Sequence, residues 1–257
     1  MKLHFYKYQA AGNDFVLIDN RDGHQALSAQ QIAFLCDRRF GVGADGVIFV
    51  SRDQHADFNI RYFNPDGTQS LCGNGCRSAV DLASRLGLAR QHSVFSAYDG
   101  DHDAELLPGG LIRIRMSDVT EIDRKLGGYY LDTGSPHFVK FVTGLSDYPV
   151  FEEGKRLRYD PVFPIGTNAN FIERLDDSTL ALRTYERGVE QETLACGTGA
   201  TASAIAASFE GYRSPVTLKA AGGDLRVDFR KDPDGRFTEI FLTGPATLVF
   251  EGDIELP

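Results

Sequence analysis

A short sequence occurs twice in this chain, once in each half: Leu71-Cys72-Gly73-Asn74-Gly75-Cys76 and Ala195-Cys196-Gly197-Thr198-Gly199-Ala200. Each copy closes a polar loop and opens a segment rich in small apolar residues, the pattern of a helix that begins at a cysteine. Two glycines at a helix start cost about 1 kcal/mol each against alanine, so they require a reason. Close approach of a ligand to bare backbone N–H groups supplies one, because a helix N-terminus binds anions and its field favours a thiolate over a thiol. The repeat therefore constrains both the fold, to two similar halves, and the chemistry, to one activated thiol per half.

The segments around the two copies follow one plan. In the first half, aromatic and β-branched residues cluster or alternate as strands over Leu3–Tyr8, Phe15–Asp19, Gly46–Ser51 and Asp57–Phe63. A helix capped by Ser28 carries Ile32, Leu35 and Cys36, with Gly41 beyond its end. The turn Asn64-Pro65-Asp66-Gly67 follows, then a helix with Cys76, Ala79, Val80, Ala83 and Leu86 on one face, stopped at Gly87, and strands running out through Leu111–Met116.

In the second half, strands over Tyr129–Leu131, Phe138–Val142, Asn170–Glu173 and Leu180–Tyr185 lead into a loop, Glu186–Thr193. A helix over Ala200–Ala207 ends at Gly211, and strands with an Asp234-Gly235 hairpin turn follow. A repeat this long predicts an α+β fold of two pseudo-symmetric domains, each a curved mixed or antiparallel half-barrel sheet around a central helix. The predicted domains are residues 1–118 and 119–247, with the strand 248–257 packing back on the first and the active site in the interdomain cleft.

Composition narrows the function classes. At 257 residues and 42% hydrophobic, the chain has enough apolar residues for real cores. A formal net charge of -9 argues against nucleic acid, whose phosphates need a basic face. No apolar run approaches a membrane span of about 18 residues, and the segment after Met1 lacks a signal peptide's apolar core, so a soluble cytoplasmic protein is expected. Four cysteines are too few for a disulfide scaffold, and no paired Cys-x-x-Cys or His-x-x-x-His marks a metal site, so neither metal nor cofactor is expected.

Cys36 and Cys76 fit core packing, the usual place of a lone cysteine. Cys72 and Cys196, each followed by Gly-x-Gly, fit chemistry. Two such thiols and amides that cradle a carboxylate suit removal of an amino acid's α-proton and return of a proton to the opposite face, that is, racemisation or epimerisation. One sulfur must start each turnover as thiolate and the other as thiol, so the pair titrates as a unit.

With these residues in view the chain resembles the diaminopimelate epimerase family over nearly its whole length. The resemblance rests on Gly12-Asn13-Asp14-Phe15, Gly43-Ala44-Asp45-Gly46, Asn64-Pro65-Asp66-Gly67, Cys72-Gly73-Asn74-Gly75, Gly134-Ser135-Pro136-His137, Thr167-Asn168, Glu186-Arg187-Gly188 and Glu192-Thr193-Leu194-Ala195-Cys196-Gly197-Thr198-Gly199. It implies a cofactor-independent homodimeric isomerase that converts LL-diaminopimelate to the meso form between two cysteines, in lysine and peptidoglycan precursor synthesis.

By position, Cys72 and Cys196 match those cysteines, and His137 and Glu186 match auxiliary residues that help them ionise. Asn13, Asn64 and Asn168 match side chains that hold the substrate's distal end, and Glu186 with Arg187 its charged clamp. Gly73, Asn74, Gly197 and Thr198 match the amides that receive the reacting carboxylate. The residue types agree: an ammonium needs amide oxygens and a carboxylate, and a carboxylate needs a guanidinium. Taken singly, Asn64 also reads as turn chemistry, Glu186 and Arg187 as a solvated pair, and His137 as a packing residue.

The sequence departs from the family's commonest pattern at Gly46, where glutamine is usual, at Ser135, where asparagine is usual, and in Val189–Glu192, one residue longer than usual. These departures bear on substrate choice more than on proton transfer. Three other readings remain at this point: another racemase or a proline or hydroxyproline epimerase of the same fold, against which Asn74 speaks; a thiol redox protein; and a cysteine hydrolase.

Overall fold

A computed structural model describes residues 1–70 and 72–257, so Leu71, which opens the first motif copy, lies outside the described residues. The chain divides into two units, Met1–Ile114 with Gly244–Pro257, and Arg115–Thr243.

In the first unit β1 (Lys2–Ala10) pairs antiparallel with β2 (Asn13–Asp19), and α1 (Ala29–Cys36) carries the chain over to β3 (Gly46–Ser51), parallel to β2. Next come β4 (Phe58–Phe63), antiparallel to β3, and the two-residue β5 (Gln69–Ser70). α2 (Gly73–Arg85) then leads to β6 (His92–Ala97), parallel to β4, and to β7 (Gly100–Leu107) and β8 (Leu111–Arg115) as an antiparallel meander.

The second unit begins with β9 (Ile122–Lys125) and β10 (Gly128–Asp132), joined by a tight turn in which Leu126 and Gly127 both take positive φ. There follow β11 (Pro136–Phe141), α3 (Val150–Arg158), β12 (Asn168–Arg174), β13 (Thr179–Glu186), β14 (Gln191–Thr193), α4 (Gly197–Ala207), β15 (Val216–Ala220), β16 (Gly223–Lys231) and β17 (Phe237–Pro245). β18 (Thr247–Glu255) pairs antiparallel with β1 in the first unit.

The pairings repeat. β11 is parallel to β12 across α3 as β2 is to β3 across α1, β13 is parallel to β15 across α4 as β4 is to β6 across α2, and β9 borders β10 as β18 borders β1. One supersecondary plan is thus written twice, and α2 and α4 hold equivalent places in it.

Helices pack on both sides of these strands, which explains why β2, β3 and β12 show runs of consecutive buried residues rather than alternation. In the first unit one core joins Phe15, Leu17, Ile48 and Phe58 to Ala79, Val80, Leu82 and Ala83 of α2. A second core joins Val16, Ile18, Val47 and Phe49 to Ile32 and Leu35 of α1. In the second unit α3 sets Val150 and Leu157 against Phe138, Phe171 and Tyr185.

α4 is buried at every position but Thr198, which its all-round small apolar sequence anticipates. α1 starts with a capping box between Ser28 and Gln31. The sequence reading did not foresee α3. It also placed a plain loop over Glu186–Thr193, where the structure forms a hairpin: β14 pairs with the end of β13, Glu186 opposite Gln191 and Thr184 opposite Thr193.

Candidate active site

Cys72 and Cys196 are the N-cap residues of α2 and α4, with nearly the same extended backbone (φ -134°, ψ 114° and φ -123°, ψ 116°). At such a position the first-turn N–H groups lack intrahelical acceptors and carry the positive end of the helix dipole. Gly73 and Gly197 are the first helical residues; the Cys196 side chain caps its helix by accepting from Gly199 N–H, the Cys72 side chain makes no cap bond, and both ends leave backbone donors for an anion.

In the first unit the Cys72 thiol donates to Asn13 Oδ1 at 3.4 Å, and Asn74 Nδ2 donates to the same oxygen at 3.4 Å. Asn13 Nδ2 donates to Asp45 Oδ2. Asp45 also accepts from Asp14 N–H at 3.1 Å and from Arg38 at 2.7 Å, and Arg38 and Lys7 both bind Asp14. The Arg38 and Lys7 partners hold the Asp14 carboxyl well down, to about 2, against the desolvation that would raise it. The Gly12–Phe15 and Gly43–Gly46 motifs thus form one charged brace whose neutral tip, Asn13, meets Cys72.

Beneath the turn lies Arg77, wholly buried, donating to Asn74 Oδ1 at 2.7 Å, to Pro245 O at 3.3 Å and to Gly73 O at 3.5 Å. Burial lowers its guanidinium to about 10, while negative charge on Cys72 and Cys76 would raise it. Asn64 stays within its own turn: its amide donates to Thr68 Oγ1 at 3.0 Å and accepts from Ser70 Oγ at 3.3 Å.

In the second unit Cys196 Sγ accepts from Gly199 N–H at 3.4 Å and lies 3.4 Å from Thr198 Oγ1. Thr198 Oγ1 is 2.9 Å from His137 Nε2, and Ser135 Oγ lies 3.0 Å from the same nitrogen. His137 has no exposed surface, and its desolvation lowers the imidazole to about 3, so the ring is neutral at physiological pH. Its other nitrogen, Nδ1, faces Asn170 Nδ2 at 3.0 Å.

Asn168 donates to Pro136 O at 2.9 Å and to Ser135 Oγ at 3.3 Å, and its oxygen accepts from Arg187 N–H at 2.9 Å. The Arg187 guanidinium donates to Ile165 O at 3.0 Å, and Glu186 Oε1 accepts from the Thr193 hydroxyl.

The structure therefore gathers Cys72, Gly73, Asn74 and Asn13 in one unit, and Cys196, Thr198, His137 and Asn168 in the other. Asn64 is engaged elsewhere in the first unit. Three contributors were not foreseen: Arg77, Asp45 and Asn170. Arg77 had a signal, a charge among the small residues that open α2, and Asp45 lies inside a motif that reads only as a whole. Asn170 alternates with Asn168 along β12, so in the sequence it reads as a strand residue. Cys36 and Cys76 are buried, as expected of packing cysteines, and burial raises both thiols, Cys36 to about 11.

Among the described residues no group of three or more His, Cys, Asp or Glu is arranged to hold a metal, and no helix is long and apolar enough to cross a membrane.

The fold is shared with solved structures. A phenazine biosynthesis protein of the PhzF family from Bacillus anthracis superposes with a TM-score of 0.80 at 16% identity, over 100% of both chains. A probable proline racemase from Agrobacterium radiobacter K84 gives 0.70 at 14% identity, over 99% of this chain and 93% of its own.

Sequence comparison is more specific. The chain is 45% identical to the diaminopimelate epimerase of Flavobacterium psychrophilum, over 99% of this chain and 100% of the relative. It is 40% identical to that of Chlorobaculum tepidum, over 96% and 99%. Residues 5–123 and 129–249 match the two copies of the diaminopimelate epimerase family signature, one falling on each repeat just described. The chain belongs to the diaminopimelate epimerase family.

Proposed function

We propose that the protein interconverts LL- and meso-2,6-diaminopimelate without a cofactor, with Cys72 and Cys196 serving opposite faces of one α-carbon. The observation that carries this reading is the equivalence of the two cysteine positions: each is the N-cap residue of the matching helix of its repeat, with nearly the same backbone geometry.

One sulfur, as thiolate, takes the α-hydrogen. The C–H bond breaks, an S–H bond forms, and the electron pair is drawn toward the substrate carboxylate. That carboxylate is received by N–H groups at Gly73, Asn74, Gly197 and Thr198, whose helix dipoles are fixed before the charge develops. The other sulfur gives its proton to the opposite face, so thiol and thiolate exchange places at the end of the turnover.

Asn13, Asn64 and Asn168 with Glu186 and Arg187 hold the distal amino acid end. The hydrogen bonds of Asn64 within its turn and of Arg187 to Ile165 are given up or shared when substrate binds. Ser135 sits among Asn168, His137 and Thr198, so the hydroxyl takes a place in the network where relatives carry a longer amide. The enzyme acts in the cytoplasm as a homodimer on a small-molecule substrate and binds neither nucleic acid nor membrane.

Incubation of LL-diaminopimelate in deuterium oxide tests the proposal. Meso product carrying deuterium at one α-carbon is expected, with early recovered substrate largely unlabelled, because separate acids serve the two faces. Serine at either cysteine is expected to cut turnover by about 10²–10⁴-fold, the range a positioned acid or base supplies. Inversion of proline or simple monocarboxylate amino acids alone, or a Cys72→Ser or Cys196→Ser enzyme with full activity, would overturn it.

A further inference from the structure

The turn that carries Arg187, between β13 and β14, is anchored to its surroundings by both backbone and side chains. Glu190 N–H donates to Glu186 O at 2.8 Å and closes the turn. Arg187 N–H donates to Asn168 Oδ1 on β12 at 2.9 Å, and the Arg187 guanidinium donates to Ile165 O at 3.0 Å.

A further anchor is the Glu190 carboxylate. Its Oε1 accepts from Gly188 N–H at 3.0 Å and from Arg158 Nε at 3.0 Å, and its Oε2 accepts from the Tyr159 hydroxyl at 3.1 Å and the Tyr185 hydroxyl at 3.2 Å. One side chain thus joins its own turn to the last residue of α3, to the residue after it and to the end of β13. Burial would raise this carboxyl, but the Gly188 N–H, Arg158 and Tyr159 bring it below its ordinary value, so it is ionised near neutral pH.

Glu190 sits at φ 58°, where a residue other than glycine is rarely found unless its surroundings over-determine it. The bonds to Gly188, Arg158, Tyr159 and Tyr185 are such surroundings. Arg158 and Glu190 keep only 20% and 34% of their side-chain surface exposed, so they differ from the solvated ion pairs that contribute little.

The face that receives Glu190 is shaped for close approach. A Cβ at Gly154 would collide with Tyr185, and one at Gly166 with the Arg158 guanidinium. Arg158 therefore reaches from Glu190 to the turn beside Ile165, the residue whose carbonyl holds Arg187. The segment Val189–Glu192, one residue longer than is usual in the family, supplies Glu190.

We propose that Glu190 is a positioning residue that, with Arg158, holds the Glu186–Glu190 turn against the end of α3 and so presets Arg187 for the distal carboxylate of the substrate. This rests on the reading of Arg187 as the distal clamp and deepens it. The backbone of the turn stays fixed on Asn168 and Glu190, and the guanidinium exchanges Ile165 O for the ligand. A clamp correctly placed only a fraction of the time lowers apparent affinity by that fraction and leaves proton transfer in the bound substrate alone.

Steady-state epimerisation of LL-diaminopimelate by the unmodified enzyme and four variants tests the proposal. Glu190→Gly removes the carboxylate while glycine accepts the positive φ without strain, so the variant is expected to fold with a Tm close to the parent's. Its KM is expected to rise about tenfold with kcat within about twofold of the parent, the signature of lost uniform binding. Glu190→Gln, which keeps an acceptor for Arg158 and Gly188, is expected to recover most of the KM. Arg158→Met is expected to raise KM as Glu190→Gly does, and combining the two to add little, because they break one tie.

Arg187→Met sets the scale, since it removes the clamp itself. A parent-like KM in Glu190→Gly beside a raised KM in Arg187→Met, or a fall in kcat at unchanged KM, would overturn the inference and leave the activity standing. A parent-like KM in Arg187→Met would remove the distal clamp from the proposed function, and the inference with it. Absence of epimerisation by the unmodified enzyme would strike the activity on which both rest.

Discussion

Arg77 donates to Asn74 Oδ1 at 2.7 Å from a position with no solvent exposure, so the turn that carries Cys72 rests on a buried cation. Its three acceptors are two backbone carbonyls and an amide, and none of them is charged. A buried charge without a counter-ion is costly. It persists here because the guanidinium fork reaches the helix start, the Asn74 side chain and the end of β17 at once, and because thiolate character at Cys72 would offset part of the penalty.

Arg77→Met is therefore expected to separate two effects. Loss of the fork leaves the Asn74, Gly73 and Pro245 oxygens without their donor, at about 1–3 kcal/mol for each group left wholly unsatisfied. Removal of an unpaired buried charge returns part of this. A net loss near 2 kcal/mol corresponds to a Tm lower by roughly 4–8 °C for a chain of this size. Calorimetry and the epimerisation assay measure the two effects, and kcat is expected to fall by tenfold or more because Asn74 is no longer held. A variant that melts and turns over like the parent would show that the contact is incidental.

The four thiols are expected to divide two and two under alkylation. Cys36 is the last residue of α1 and Cys76 lies on the buried face of α2, and burial pushes both up, Cys36 to about 11, so little thiolate exists at either near neutral pH. A short iodoacetamide pulse at pH 7.5 followed by peptide mass spectrometry should label Cys72 and Cys196 and spare the other two. Early labelling of Cys76 would mean that α2 opens far more readily than its packing implies.

How much of this was legible in the sequence depended on whether a residue's role was local. The repeat, the two cysteine caps and the strands β2, β3 and β4 could be read, because cap chemistry and apolar runs are properties of contiguous residues. α3 could not be read. Its centre carries Gly154, a poor helix former, which is there because a Cβ would fall 2.3 Å from Tyr185 Cβ as the helix packs on β13. Its charges, Glu152 and Glu153 at the start and Lys155, Arg156 and Arg158 at the end, suit the helix dipole and were a signal that passed unused.

β14 was hidden for a similar reason: a three-residue strand of Gln, Glu and Thr has no apolar pattern and exists through its pairing with β13. The places of Asp45 and Asn170 could not be read because their partners lie about 30 positions away, Asn13 and His137.

The buried imidazole gives the fold a pH dependence of definite sign. His137 titrates from an ordinary 6.5 in the unfolded chain to about 3 in the native state, because burial disfavours the charged ring. Between these values the unfolded chain binds the extra proton, so this contribution is complete above pH 6.5 and is lost as pH falls toward 3. The slope cannot exceed about 1.4 kcal/mol per pH unit for one group. Asp14, lowered to about 2, adds a loss of the same sign below pH 4. Urea unfolding of the wild type and of His137→Gln, each at pH 4.5 and 7.0, isolates the term: the glutamine variant should lose less stability across the interval. Equal losses would mean that the ring is accessible to protons in the folded protein.

Gly199 tests whether the spacing at the start of α4 matters for chemistry rather than for folding. A Cβ added there would lie 2.4 Å from Asn170 Oδ1 and 3.3 Å from Cys196 Cβ, so an alanine must push Asn170 off its partners or lift the helix start. In a helix, alanine is favoured over glycine by about 1 kcal/mol, which offsets part of the strain and keeps the expected change in Tm small. Displacement of Asn170 would break its contact with His137 Nδ1, and displacement of the helix start would move the N–H groups that receive the carboxylate. Either route reaches the reacting carbon, where an error near 1 Å can cost about 10²-fold. Gly199→Ala should therefore fold, with kcat/KM lower by one to two orders of magnitude. A folded variant of undiminished activity would remove the close contact between α4 and Asn170 from the account of catalysis.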